Sequence, residues 1–262
     1  MYKITPLRYF LELSYKGTSY HGWQRQPNAV SVQQVLEEAL STLLGKEIQI
    51  LGAGRTDTGV HAKQMFAHFD ADIPTAQVND LAFRLNRFLP FSIAIQAIHA
   101  VVFDAHARFD ATSRSYAYYI TSEKNPFSNE HAYFFNAPLD VDAMNTAAAL
   151  LLKHTNFKCF SRSKTDVKTY DCNVTEAFWE QQQSGLAFHI SANRFLRNMV
   201  RAIVGTLLDV GTGKLSMTGF QAVLDSEDRM QAGSSAPAHG LFLTKIRYPN
   251  TIFEVHGKEK SQ

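Results

Sequence analysis

The chain reads as an α+β protein of two ferredoxin-like halves, each pairing helices with an antiparallel sheet. Three observations carry this reading. In residues 1–122, strand and helix patterns follow in the order strand, helix, strand, strand, helix, strand, with one further strand after them. That order suits helices laid on one face of an antiparallel sheet. Residues 140–262 repeat the alternation of helices and strands, although the residues themselves show no repeat. Between the halves, residues 123–139 contain Pro126 and Pro138 and read as a linker.

Taken in order, Arg8 to Tyr15 reads as the first strand, and Lys16 to Asn28 as a loop with Gly17, Gly22 and Pro27 that carries Tyr20, His21 and Trp23. Ser31 and Gln34 have the spacing of a capping box. Val32, Val35, Leu36, Ala39, Leu40, Leu43 and Leu44 then recur at helical spacing, and Gly45 closes the helix. Lys46 to Ile50 alternates polar and apolar and reads as a strand, as does Val60 to Phe69, with a sharp connection over Gly52 to Gly59. Val78, Leu81, Ala82, Leu85, Phe88 and Leu89 mark a second amphipathic helix stopped by Pro90. Ile93 to Val102 and Thr112 to Thr121 are strands, the second with Arg114, Tyr116, Tyr118 and Ile120 on one face.

In the second half, a helix is expected over Val141 to His154. A loop from Lys158 to Lys168 sets Lys158, Arg162, Lys164 and Lys168 against the single acid Asp166. Strands around Asn173 to Glu180 and Leu186 to Ala192 lead to a strongly patterned helix over Arg194 to Val210. A weaker helix over Thr218 to Ser226, a Gly-Ser-Ser-Ala-Pro loop and a strand at Leu241 to Tyr248 follow. The polar end, Gly257 to Gln262, is expected to fray.

Composition narrows the classes. The 262 residues are 45% hydrophobic and 19% charged, as in globular proteins with a sizeable core. A formal charge of +2 does not demand a nucleic-acid partner, though a local basic face can supply one. Met1 to Leu7 lacks the apolar core of an export signal, and no run approaches the ~20 apolar residues of a membrane span. Two cysteines, Cys159 and Cys172, without such a signal fit a reducing cytoplasm and ordinary packing.

Chemistry concentrates in Leu51-Gly-Ala-Gly-Arg-Thr-Asp-Thr-Gly-Val-His61, where Arg55 and Asp57 stand among Gly52, Gly54 and Gly59. A dinucleotide fingerprint needs Gly where Asp57 stands and a helix afterwards. A phosphate-cradling P-loop needs Gly-Lys-Ser/Thr at its end, which is missing. A plain turn with Asp57 capping its own backbone remains open, yet bulky Arg55 among glycines suits a ligand-facing site. Arg194, Arg197 and Arg201, three and four residues apart, are expected on one helix face, with no acid between Glu180 and Asp209 to pair with them. That face suits either solvent or an anionic ligand. His61 and His68, seven apart on one strand, face opposite sides and cannot share an ion, so no metal is expected.

Gly54-Arg-Thr-Asp-Thr-Gly-Val-His-Ala62 resembles the signature of the tRNA pseudouridine synthase A family. Phe195-Leu-Arg-Asn-Met-Val-Arg201 with Ile203-Val-Gly205 resembles the family's second-half helix. Phe103-Asp-Ala-His-Ala-Arg-Phe109 with Arg114-Ser-Tyr116 resembles its RNA-contacting segment. Phe10 to Gln24 and Ser235 to Phe242 are similar to its opening and closing segments, with His239 where relatives commonly carry Glu. The matches are in order over positions 8–248.

The resemblance implies two ferredoxin-like halves with antiparallel sheets meeting at a central cleft. It implies a homodimer, and uridines at tRNA positions 38 to 40 of the anticodon stem-loop as targets. It makes Asp57 the nucleophile, Arg201 an active-site arginine that orients it, and Tyr116 the residue lying against the uracil. His106, Arg108 and Phe109 then touch tRNA. Lys158, Arg162, Lys164, Arg194 and Arg197 are the basic residues available for phosphates. Isomerising uridine needs no cofactor, but the base must leave the stack, and Arg55 is the candidate to hold the vacated space. Two other classes stay open: an RNA-binding module that uses the basic faces without Asp57, and a metal-free hydrolase that uses Asp57 without the basic faces.

Overall fold

The computed structural model describes residues 7–74, 77–162 and 167–253. The chain forms two compact units, one of Met1–Thr112 with Ile246–Gln262 and one of Ser113–Lys245.

The first unit holds β1 (Leu7–Tyr15), α1 (Val32–Leu44), β2 (Leu51–Gly52), β3 (His61–Ala71), α2 (Val78–Phe88) and β4 (Ile93–Val101). Its strands lie in the order β4-β1-β3-β2, the ferredoxin-like order that the element sequence predicts. The ladders β1–β3, β1–β4 and β2–β3 are all antiparallel. Central β1 buries Tyr9, Phe10, Leu11 and Leu13 completely. Helix α1 begins as expected, with Ser31 Oγ accepting from Gln34 N at 3.2 Å, and ends at Gly45 with φ of 68°. The reciprocal half of the capping box is replaced: the Gln34 amide donates to Glu38 instead. Val32, Leu36, Ala39 and Leu40 form the buried stripe of α1. Truncating Leu36 there would cost about 2–5 kcal/mol.

One expected strand is corrected. Residues Lys46 to Ile50 form no strand, and ladder pairing is confined to Leu51 and Gly52. The reason lies in α1, whose side chains serve as hydrogen-bond partners for this segment's backbone. Ile50 N donates to Glu37 Oε1, Gln33 Nε2 donates to Ile50 O, and Ile48 N donates to Ser41 Oγ. Ile48 and Ile50 are nevertheless buried, which produces the alternating pattern without a strand neighbour.

The second unit holds β5 (Ser113–Thr121), β6 (Tyr133–Phe134), α3 (Val141–Leu150), β7 (Val174–Gln182), β8 (Gly185–Ala192), α4 (Met199–Gly211) and α5 (Met217–Asp225). The chain's last strand, β9 (Leu241–Arg247), also lies in this unit up to Lys245. Its main strands follow the order β9-β5-β8-β7, the same arrangement as in the first unit, and short β6 pairs with β5. Helix α4 is the most buried element, with Met199, Ile203, Val204 and Leu207 wholly enclosed. Cys159 and Cys172 are buried, and burial pushes their thiols up to about 12 and about 11, so they pack and do not react. The segment Gly257 to Gln262 lies outside the described residues.

The start of α4 is a second correction. The helix begins at Met199, so Arg194 and Arg197 precede it and only Arg201 lies on it. Asn198 adopts φ of 66°, a left-handed conformation that a right-handed helix cannot continue through. The three arginines therefore do not share a helix face, although their spacing suits one.

Candidate active site

The Asp57 loop is held by backbone bonds at both flanks. On its approach, Ala53 N donates to Phe66 O at 2.8 Å. At the tip, Val60 N donates to Asp57 O at 3.1 Å, closing a turn around Asp57. The loop of residues 16–31 supplies the rest. Trp23 N donates to Thr56 O at 3.2 Å, and Gly59 N donates to Tyr20 O at 3.4 Å. The Tyr15 hydroxyl lies 2.8 Å from Thr56 Oγ1. Thus the two residues bracketing Asp57 are tied to a second loop, and Asp57 itself is half-buried.

Buried His61 locks the base of this arrangement. Its Nδ1 accepts from Gly17 N at 3.0 Å, so the neutral ring carries its proton on Nε2. A Cβ at Gly22, whose φ is 84°, would overlap the Thr56 carbonyl oxygen and lie 3.2 Å from the Asp57 carbonyl carbon. Glycine is required at this crossing by both conformation and space.

Arg55 is exposed, and its Nε donates to Gln24 Oε1 at 3.1 Å. Gln24 continues to Gln33 at 2.7 Å, and Gln33 to Glu37 at 2.9 Å. Glu37 also pairs with Arg25 at 3.1 Å. A polar chain therefore runs from exposed Arg55 and Gln24 to buried Gln33 and Glu37 of α1. Its signal in the sequence is Gln33 and Glu37, four apart beside the apolar stripe, which the pattern reading passed over.

The segment of residues 105–110 forms a second feature of the first unit. His106 N donates to Asp110 Oδ2 at 2.7 Å, and His106 Nδ1 accepts from Arg108 N and Phe109 N. The His106 ring lies 4.2 Å from that of Phe109, and Arg108 sits over Phe109 at 5.6 Å. Arg108 and Phe109 are exposed, whereas His106 is half-buried and its ring shapes the loop. Beneath it, Ala107 N donates to His68 Nδ1 at 3.1 Å, and the two imidazoles meet at 4.7 Å.

Burial, then the charge of Arg8 and the neighbouring His106, lowers the His68 pKa from 6.5 to about 4. A protonated Nδ1 could not accept from Ala107. Between pH 6.5 and about 4 the unfolded chain binds a proton that folded His68 refuses, so stability falls as pH drops through that window. In His68→Asn, an amide oxygen can replace the acceptor without titrating. Denaturant midpoints of that variant are expected to vary less between pH 7 and 4 than those of the parent; equal pH dependence would rule out His68 as the cause.

In the second unit, Tyr116 on β5 is half-buried, opposite Ile190, with its ring edge-on to Phe195 at 5.1 Å. Arg201 lies in the first turn of α4, its Nε donating to Ala236 O at 2.7 Å. Arg162 and Arg197 are brought together by a bond from Arg162 N to Arg197 O at 3.1 Å, and both are exposed. Lys158 pairs with Glu227 at 3.7 Å between two exposed groups, a contact worth little. Arg194 is half-buried near Cys172. Lys164 lies outside the described residues. His239 is half-buried and its pKa is lowered by burial.

Among the described residues, no group of three or more His, Cys, Asp or Glu is placed to hold a metal ion, and no helix is long and apolar enough to cross a membrane.

Comparison with known proteins agrees with the motif reading. A family model described as tRNA pseudouridine synthase matches residues 13–110 and 147–249. The tRNA pseudouridine synthase A of Parabacteroides distasonis is 51% identical over 248 residues, covering 95% of this chain and 98% of the relative. That of Porphyromonas gingivalis is 52% identical over 249 residues, covering 94% and 99%. The more distant one of Caldicellulosiruptor bescii is 38% identical over 242 residues, covering 91% and 98%. With both stretches matched by one family model and full-length relatives at this identity, the chain belongs to the tRNA pseudouridine synthase family.

Proposed function

We propose that this isomerase converts uridine to pseudouridine in the anticodon stem-loop of tRNA, at positions 38 to 40, with Asp57 as nucleophile on a flipped-out base. The observation that supports it best is the mooring of the Asp57 loop, whose bracketing carbonyls, on Thr56 and Asp57, accept from Trp23 and Val60. Fixing a nucleophile before substrate arrives removes the entropy of aligning it later. The reaction breaks the bond from ribose C1′ to N1 and forms one from C1′ to C5. The proton on C5 is lost and N1 gains one, so atoms and electrons balance without a co-reactant. Asp57 attacks either the ribose or uracil C6; each route needs an ionised carboxylate.

In this reading Arg55 fills the space that the base vacates, Tyr116 lies against the uracil, and Arg201 orients the carboxylate. Arg108 and Phe109, with Arg162, Arg194, Arg197, Lys158 and Lys164, hold the RNA. His106 shapes the loop that presents Arg108 and Phe109. A homodimer, which rests on the resemblance alone, and a cytoplasmic setting, which suits the two free thiols Cys159 and Cys172, complete the reading.

The direct test incubates the purified protein with unmodified tRNA and maps pseudouridine; its absence from the anticodon stem-loop sinks the site assignment. Arg55→Lys gives a sharper one. Lysine keeps the charge but loses the planar fork that stacks and donates to Gln24. Affinity for tRNA is expected to change by less than about 1 kcal/mol, while product formation and the unstacking of a fluorescent base analogue both fall. Equal losses in affinity and turnover, with normal unstacking, would make Arg55 a phosphate clamp.

A further inference from the structure

The geometry points to Arg229 as a positioning residue for Arg201, acting through the strap of residues 232–236. This rests on the proposed role of Arg201. The Arg229 guanidinium donates to three neutral acceptors on the strap: NH1 to Ala232 O at 3.2 Å and to Gly233 O at 3.1 Å, and NH2 to Ser235 Oγ at 3.0 Å. The far end of the strap is clamped on Arg201 twice. Arg201 Nε donates to Ala236 O at 2.7 Å, and Ala236 N donates to Arg201 O at 2.9 Å. Side chain and backbone of one arginine are thus fixed to one residue of the strap. The bond at Nε sets the plane of the guanidinium and leaves its two terminal nitrogens to other partners.

The same strap governs where α4 begins. Asn198, at the left-handed position before Met199, donates from Nδ2 to Ser235 Oγ at 2.6 Å. Ser235 Oγ therefore joins Arg229 to the residue that starts the helix bearing Arg201. Midway, Gly233 N donates to buried Thr206 Oγ1 at 2.9 Å. At Gly205 a Cβ would overlap the Ser234 carbonyl oxygen, so the strap lies directly on the helix backbone. Beyond Ala236, the Tyr118 hydroxyl donates to Pro237 O at 2.9 Å; burial raises that phenol's pKa, keeping it a donor. Arg229, outside α4, gives the strap of residues 232–236 three directed bonds from one planar group, which hold it in register.

Sequence spacing gives no hint of this. Arg229 lies beyond α5 and outside every basic run singled out above, and its partners become visible only once the chain returns across Gly205.

The test uses the full chain with tRNA in single- and multiple-turnover assays, at temperatures where all variants are folded by circular dichroism. Arg229→Ala and the milder Ser235→Ala are each expected to lower kcat, by about 10- to 100-fold and about 3- to 10-fold, as a misplaced catalytic group does. The Kd for tRNA stays within about twofold, since no RNA contact is removed. Arg229→Lys recovers part of the loss. Amide exchange at Ala236, whose N–H is bound to Arg201 O, accelerates in Arg229→Ala. In an Arg201→Lys background, which lacks the Nε bond, Arg229→Ala adds less than about a threefold further loss, because residues acting as a unit are not additive.

The assignment is overturned if both variants keep kcat within about twofold of the parent, or if Arg229→Ala costs the same factor in either background. It is also overturned if the loss appears only as a lower melting temperature with an unchanged kcat per folded molecule. Wild-type turnover in Arg201→Lys would show instead that the role given to Arg201 has failed, and the positioning role with it. Failure to form pseudouridine at all would mark the failure of the proposed activity.

Discussion

Asp57→Asn is expected to lower turnover on the order of 10³-fold or more while leaving tRNA affinity within about twofold. Asparagine keeps the size of the side chain but has no anionic oxygen to attack with. The loop should survive the change, because asparagine leaves in place the backbone bonds of Ala53, Thr56, Asp57 and Val60 that hold it. Single-turnover assays with saturating enzyme isolate the chemical step, and filter binding reports affinity. Pseudouridine formed at a rate comparable with the parent's would remove Asp57 from the mechanism. Loss of tRNA binding in proportion to turnover would make it a binding residue instead.

Gly22→Ala is the second change with a large expected effect, and it acts without touching a reactive atom. The backbone at Gly22 has φ of 84°, which costs an alanine about 1–2 kcal/mol. The added methyl also meets the Thr56 carbonyl, one residue before Asp57, and that carbonyl already accepts from Trp23 N. One of the two loops must then move. A shift near 1 Å at the nucleophile costs on the order of 10²-fold in rate. Total destabilisation should reach about 2–4 kcal/mol, combining strain with overpacking.

Gly45 supplies the control. It has φ of 68° but open space around its Cβ position. Gly45→Ala should therefore show the conformational cost alone, with turnover unchanged. Equal effects of the two substitutions on turnover would refute the idea that the 16–31 loop positions Asp57.

Several elements were legible before the structure because their signal is local. The stripe Val32, Leu36, Ala39, Leu40 between a serine cap and a terminal glycine specifies α1 from one face's burial and its two ends. The order of elements predicts the 4-1-3-2 strand arrangement seen in the first unit, since short connections leave few ways to cover such a sheet, whereas the second unit reaches the same arrangement with β5, a strand read in sequence as an extra one of the first half. The Arg55 and Asp57 stretch was legible in another way: its residue pattern marks the family.

Tertiary structure alone decided the rest. Residues 46–50 alternate like a strand because Ile48 and Ile50 are buried, yet their backbone is bound by Glu37, Gln33 and Ser41 of α1. Periodicity records which side chains leave water and is silent on where backbone hydrogen bonds go. Arginines at 194, 197 and 201 have helical spacing, yet the helix starts only at Met199, after left-handed Asn198 whose side chain is bound by Ser235. That bond joins residues 37 apart in the chain, as the strap joins Arg201 to Ala236 across 35. Such closures depend on the whole unit folding, so the sequence by itself determined locally signalled elements such as α1 and the candidate nucleophile, and packing decided the state of residues 46–50, the start of α4 and which loops hold the site in place.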